Sequence, residues 1–264
     1  MKICICGKGG CGKSSILSLL AYSLTRSGKK VYVLDSDESN NNLFRMIGFD
    51  YPPQSLMDFA GGKSQVKQKM RSRFSKGEGE PDMAVLKETI THPGSLPDEY
   101  IVSHNGLSLM VTGKIQHALE GCACAMGSVT REFVKHTSLN ADELMLIDTE
   151  AGIEHFGRGV EAGADCVIGV VEPSLESISL AKTIRNLTIA SGSEFPGVIV
   201  NKINSGQQKE IVAGNLHNAG IPVIGYLSYI LGLQDAGLNG FALSDISRND
   251  EIEYITGKIL QSCF

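Results

Sequence analysis

The sequence has no excess of basic charge, no long apolar run, no C-x-x-C pair and no internal repeat, and each absence removes a class of function. Its 24 Lys and Arg stand against 29 Asp and Glu, a formal net charge of -5, with a sequence pI near 5.7. Such a chain has no general positive field to hold a nucleic-acid backbone or an anionic membrane surface. Neither is expected as a partner; a protein or a small molecule is. The stretch RNDEIEYITGKILQSCF carries only Arg248 and Lys258 against Asp250, Glu251 and Glu253, which argues against a basic membrane-lying helix. Apolar runs such as CVIGVV are too short to cross a bilayer. The first residues, MKICICGKGGCGKSS, lead straight into an expected strand and show no export signal. Seven cysteines, an odd number at irregular spacings, do not suggest a disulfide framework, so a reducing, cytoplasmic setting is expected.

What is present suits a single α/β domain spanning 1–264, 42% hydrophobic and 20% charged. Runs rich in Val and Ile alternate with helix-period segments, the pattern of a mostly parallel sheet flanked by helices. About seven strands are expected, near 2–6, 30–35, 107–112, 143–148, 166–172, 197–202 and 222–227. Helices are expected near 13–27, 127–138, 174–190, 207–218 and 249–262. Residues 61–81, GGKSQVKQKMRSRFSKGEGEP, are polar and Gly-bearing and read as a mobile surface excursion whose Lys and Arg are solvated.

Gly7 to Ser14 reads GKGGCGKS, matching G-x-x-x-x-G-K-[ST] between a short apolar strand and a long helix. The fold class expected is therefore a P-loop nucleoside-triphosphatase. Gly7, Gly9, Gly10 and Gly12 free the backbone amides to surround phosphates, with Cys11 contributing backbone only. Lys13 neutralises β- and γ-phosphate charge, the Ser14 hydroxyl suits Mg²⁺, and Ser15 follows on the helix. Two other strand ends carry carboxylates, Asp35 and Asp37 in LDSDES and Asp148 in LIDTEAG, where α/β sheets place ligands. In VNKIN, Asn201 and Lys202 end a strand, and Asn204 stands where a guanine site needs a carboxylate. Adenine is the expected base, with Asn201 able to pair with its N6 and N7.

Lys8 gives the loop the form K-G-G-x-G-K-[ST], which resembles the deviant Walker A ATPases, the family of septum-site, plasmid-partition, arsenite-pump and nitrogenase iron-protein ATPases. The resemblance implies an ATP-dependent homodimer in which Lys8 reaches the partner's phosphates. It also implies that Asp37 polarises the attacking water, that Asp148 holds Mg²⁺ with Ser14 and Asp37, and that Gly152 follows the γ-phosphate. Lys8, Lys13 and Asp37 are thus the catalytic candidates.

GCACAMG (121–127) sets Cys122 and Cys124 one residue apart, half of a four-thiolate site for a soft metal ion. With DTEAGIEHFGRG (148–159) and the phosphate loop, it resembles the nickel-insertion ATPases that mature carbon monoxide dehydrogenase, the CooC type, over most of the chain. This implies a metallochaperone holding Ni²⁺ or Zn²⁺ between two copies of the Cys pair, with a nickel enzyme such as carbon monoxide dehydrogenase as client. The alternative is a 4Fe-4S reductase or cluster carrier resembling the nitrogenase iron protein, although DTEAGIEHF lacks that family's second cysteine. Cys4 and Cys6, two apart on a strand, are expected to pack on one face of the sheet. Cys11, Cys166 and Cys263 are assigned structural roles, and His117 and His136 are not assigned as ligands.

Overall fold

The strand that opens the chain becomes the middle of the sheet. The computed structural model describes residues 1–75, 86, 90–115 and 124–263, and in it β1 (Lys2–Gly7) lies near the centre of eight strands. The others are β2 (Lys30–Asp35), β3 (Val102–His104), β4 (Leu107–Val111), β5 (Glu143–Asp148), β6 (Cys166–Val171), β7 (Glu194–Ile203) and β8 (Val223–Ser228). Their order is β3-β4-β2-β5-β1-β6-β7-β8. All neighbours run parallel except β3 and β4. The seven expected strands are all found. The eighth, β3, is added by a two-residue hairpin at Asn105 and Gly106, both with positive φ (49° and 81°), the Asn-Gly signal of a tight turn.

The helices are α1 (Lys13–Arg26), α2 (Leu43–Met46), α3 (Leu56–Phe59), α4 (Lys63–Ser75), α5 (Cys124–His136), α6 (Glu154–Arg158), α7 (Leu175–Ala190), α8 (Gly206–Asn218), α9 (Leu231–Asn239) and α10 (Asp250–Cys263). Strand alternation divides the core between two faces. Ile3 and Ile5 of β1 pack with Ile16, Leu20 and Leu24 of α1 and Ile252 and Ile255 of α10. Cys4 and Cys6 point the other way, into a cluster with Phe133 and Val129 of α5 and Met57 of α3, as their spacing requires. Cys4, Cys6, Cys11 and Cys166 are all buried. The expectation for 61–81 needs correction, because residues 63–75 form α4; residues 76–81 lie outside the described residues. Val66 of α4 is fully buried against the second cluster, an anchor that the polar composition of the segment conceals.

The sheet positions the site by bringing strand ends together. The last residue of β2 is in register with the last of β5, Asp35 with Asp148, and β5 neighbours β1, which leads directly into the loop before α1. Three sequence-distant segments therefore open together at the C-terminal ends of these parallel strands.

Candidate functional site

The loop from Gly7 to Gly12 turns β1 into α1, and its backbone leaves the start of that helix open. Gly12 is the N-cap, in the left-handed region at φ 97°, and makes no side-chain cap. A Cβ there would also run into the Asn201 amide, so both backbone and space call for glycine. An uncapped helix start presents amide N–H groups and the positive end of the helix dipole, a ready anion site. Lys13, only 7% exposed, folds back so that its ammonium lies 3.5 Å from the Lys8 carbonyl. Cys11 turns its side chain into the core, leaving its backbone to the loop.

Ser14 donates its hydroxyl to Asp148 Oδ2 at 2.6 Å and accepts from the Asn40 amide at 2.8 Å. Asp148 is fully buried, and its other oxygen, Oδ1, has no hydrogen-bond partner. Burial pushes its carboxyl up to about 6, against the opposing pull of Ser14 and the Lys13 ammonium. Asp35 is raised further, to about 7, again chiefly by burial. Lys114 reaches Asp35 Oδ2 at 2.7 Å and the Asp37 carbonyl at 2.5 Å. The two carboxylates thus differ in kind: Asp35 is tied to a lysine, whereas Asp37 Oδ1 accepts from the amide and hydroxyl of Ser39, at 2.9 and 2.6 Å.

Lys13, Ser14, Asp37, Asn40, Arg45 and Phe241 line one cleft of about 420 Å³, together with loop glycines. A larger cleft of about 500 Å³ opens beside Asp35, Lys114, Met57 and Met126 and touches no residue of the phosphate loop. Gly152 stands across the loop, its N–H donating to the Gly7 carbonyl at 3.1 Å. Lys8 lies outside the cleft, its ammonium 2.7 Å from Glu176 and 3.7 Å from Glu172 of its own chain. Lys202 bonds the Gly10 carbonyl at 2.5 Å and Glu172 at 3.1 Å. Asn201 is buried, and its amide donates to the Cys11 carbonyl at 2.9 Å while its oxygen accepts from Lys202 N. It braces the loop, leaving one N–H and one lone pair uncommitted by these bonds. Asn204 is exposed, its amide on the Lys202 carbonyl.

Of the thiol pair, Cys122 lies outside the described residues. Cys124 is exposed at the first position of α5 and disulfide-bonded, so its use as a metal ligand requires reduction. Sequence reasoning missed Asn40, Lys114 and Arg158, and also the buried pair His155 and Glu161. Arg158 contacts Glu150, which follows β5, and lies 3.6 Å from Glu38, which follows β2. A run of charged residues after two strands carried no signal that these three would meet. Cys6, His155 and Glu161 place one potential ligand atom each within 4.8 Å of the others. Burial lifts the Cys6 thiol to about 12, which disfavours the thiolate that a metal would take.

The sequence profile of the CobQ/CobB/MinD/ParA nucleotide binding domain matches residues 3–241. An uncharacterized ATP-binding protein of Methanocaldococcus jannaschii is 42% identical over 217 residues, covering 82% of this chain and 84% of that one. The carbon monoxide dehydrogenase accessory protein CooC of Rhodospirillum rubrum is 30% identical over 247 residues, covering 94% and 90%. Among solved structures, the septum site-determining protein MinD of Pyrococcus horikoshii, complexed with Mg-ADP, superposes with a TM-score of 0.68 at 15% identity, covering 99% and 96%; at that identity the likeness shows the fold.

Proposed function

Since the chain belongs to the CobQ/CobB/MinD/ParA nucleotide-binding family, matched over residues 3–241, we propose that it is an ATP-hydrolysing metallochaperone that dimerises with nucleotide and delivers a metal ion to a nickel enzyme. The coarser part is plain: this is a P-loop ATPase of that family. The observation that best supports the catalytic reading is the Ser14–Asp148 pair. A buried carboxylate with one oxygen on the helix-start hydroxyl and the other unpartnered is an arrangement that a hard divalent cation completes. Ser14, Asp148 and Asp37 would hold Mg²⁺, which when bound offsets phosphate charge.

The remaining roles are those that the family resemblance implies, matched to where each group lies. Lys13 and the open start of α1 bind the β- and γ-phosphates. Asp37 uses Oδ1 on Ser39 and offers Oδ2 to orient the attacking water. Gly152 exchanges its bond to Gly7 for the γ-phosphate. Lys8 leaves Glu176 and Glu172 to reach the partner's phosphates, so the carboxylates that hold it in one chain oppose dimerisation until nucleotide is bound. Asn201 and Lys202 fix the loop from the base side, and Asn204 in place of a carboxylate favours adenine over guanine.

The cargo half rests on the thiol pair and on the relative named as a carbon monoxide dehydrogenase accessory protein. In their reduced form, Cys122 and Cys124 supply two thiolates per chain, and a two-fold dimer supplies four, enough for Ni²⁺ or Zn²⁺ as cargo. The client would be carbon monoxide dehydrogenase or a related nickel enzyme, and the setting cytoplasmic. Among the described residues, no helix is long and apolar enough to cross a membrane. Metal analysis of anaerobically purified protein, with and without ATP, tests this reading. Nickel or zinc that depends on both cysteines is expected, whereas iron with sulfide and visible cysteinyl-iron bands would replace it with the cluster-carrier reading.

A further inference from the structure

Beneath the segment that carries Gly152 lies a pair of titratable side chains to which the nucleotide chemistry gives no role. His155, in α6, is 2% exposed, and Glu161, in the 3-10 turn Val160–Gly163, is 1% exposed. The imidazole Nδ1 bonds Glu161 Oε1, and Nε2 lies 3.2 Å from the Gly152 carbonyl. Glu161 sits on a firm base: a Cβ at Gly163 would come within 2.8 Å of the Lys135 backbone of α5, so the turn is pressed against that helix.

The partners fix the number of protons. A backbone carbonyl only accepts, so Nε2 must carry a hydrogen to bond Gly152. Nδ1 and Glu161 Oε1 then bond each other only if a second proton lies between them. Two protons are therefore shared by two groups, either as imidazolium with carboxylate or as neutral imidazole with carboxylic acid. The surroundings favour the neutral form. Burial is the largest influence holding His155 down to about 4; the bond to the Gly152 carbonyl and the Glu154 charge oppose it, while Lys13 and Arg158 add positive charge near the ring. From the β1 side the facing group is the Cys6 thiol, which burial keeps protonated. Glu161 Oε2 has no partner, a condition a neutral carboxyl tolerates better than a carboxylate.

We propose that His155 is a positioning residue for ATP hydrolysis: with Glu161 it clamps the Gly152 carbonyl, so that only the N–H side of Gly152 swings between Gly7 and the γ-phosphate. Gly152 has φ 89°, a backbone region that glycine occupies without strain, so the N–H can turn while the carbonyl stays fixed. Loss of one of the two shared protons leaves a single hydrogen for two bonds. Either Gly152 or Glu161 then loses its bond, and the clamp opens as pH rises. This inference rests on the reading of the phosphate loop as the ATPase site and adds a pH-sensitive support beneath it.

The test is steady-state ATP hydrolysis with Mg²⁺ from about pH 6 to about pH 10, on the full chain, with melting temperature recorded for every variant. Glu161→Gln donates permanently to Nδ1, locks the hydrogen on Nε2, and has no proton to lose. It is expected to keep the parent's kcat near neutrality and to lose the parent's alkaline fall. His155→Phe fills the same space without a donor and should lower kcat roughly 10- to 100-fold with little change in KM for ATP. If His155→Phe fails to fold, the Glu161→Gln profile decides alone. An alkaline limb unchanged in Glu161→Gln, or a parental kcat in folded His155→Phe, overturns the proposal. Lys13→Ala in the same series separates the two readings: parental turnover in that variant overturns the ATPase site itself, whereas an inactive Lys13→Ala beside an unchanged alkaline limb in Glu161→Gln overturns only the clamp.

Discussion

Asp148→Asn is expected to stabilise the nucleotide-free protein while removing its response to Mg-ATP. The carboxyl titrates at about 6 instead of the ordinary 3.8, chiefly because it is fully buried. That difference corresponds to about 3 kcal/mol by which the charged form disfavours the folded state. The sign follows from proton binding. The folded state holds the proton to higher pH than the unfolded chain, so stability falls as pH rises from about 3.8 to about 6 and levels off above that. Asparagine carries no charge at any pH and keeps an oxygen to accept from Ser14. Its nitrogen replaces the unpartnered Oδ1, near the Asp35 and Asp37 carboxylates whose repulsion Asp148 shares. An incompletely bonded amide offsets part of the gain, leaving a net of about 1–3 kcal/mol. In a domain of this size that is roughly 3–10 °C in melting temperature. Melts of parent and variant between about pH 4 and pH 8 measure it. The advantage should be absent at the acid end and full at the alkaline end. At ligand concentrations near 100 times Kd, the parent should gain about 2.7 kcal/mol from Mg-ATP, and the variant should gain nothing from adding Mg²⁺ to ATP. A variant no more stable than its parent at pH 8, or an advantage that does not shrink toward acid, would refute the buried-charge account. A retained Mg²⁺ response would refute the ligand role.

Separate groups should fail in separate ways. Asp37→Ala should keep ATP bound and accumulate as the ATP dimer without turnover, and Lys8→Ala should bind ATP as a monomer; size-exclusion chromatography with ATP and with ADP checks both, and parental hydrolysis by Asp37→Ala or an ATP dimer of Lys8→Ala would count against the assignments. ATP should raise the melting temperature more than GTP at equal concentration, because Asn204 stands where a guanine site needs a carboxylate to accept two N–H groups; an equal or larger shift with GTP would reverse the base assignment.

The parts of this structure legible in the sequence are those encoded by local period and spacing. The strands carry continuous Val/Ile runs because both faces are covered, and the phosphate loop is contiguous from Gly7 to Ser14, so both could be located directly. The hairpin at Asn105 and Gly106 had its signal, passed over because β3 is only three residues long. Helix α4 was hidden by its polar composition: among the described side chains Val66 is buried and Met70, one turn on, packs on the same cluster, and the lysines, glutamines and serines around them obscure that spacing. The missed site residues have a different cause. Lys114 meets Asp35 across 79 positions, and Asn201 meets Cys11 across 190, pairings made by sheet order and not by neighbourhood. His155 and Glu161 look like solvent-facing residues of a polar segment, and only the packing of the 3-10 turn on α5 shows them buried. Asn201 is the instructive case: its strand-end position was legible, but its commitment to the loop carbonyl was not.

In the proposed metallochaperone, two chains would share one metal ion through their Cys pairs. Native mass spectrometry of the reduced protein, titrated with Zn²⁺ or Ni²⁺ under anaerobic conditions, tests it most directly. The expected result is one ion per two chains, a dimer that appears with the ion, and loss of both in Cys122→Ala and in Cys124→Ala while ATP binding persists. One tightly held ion on a single chain, or unchanged metal content after both substitutions, would contradict it.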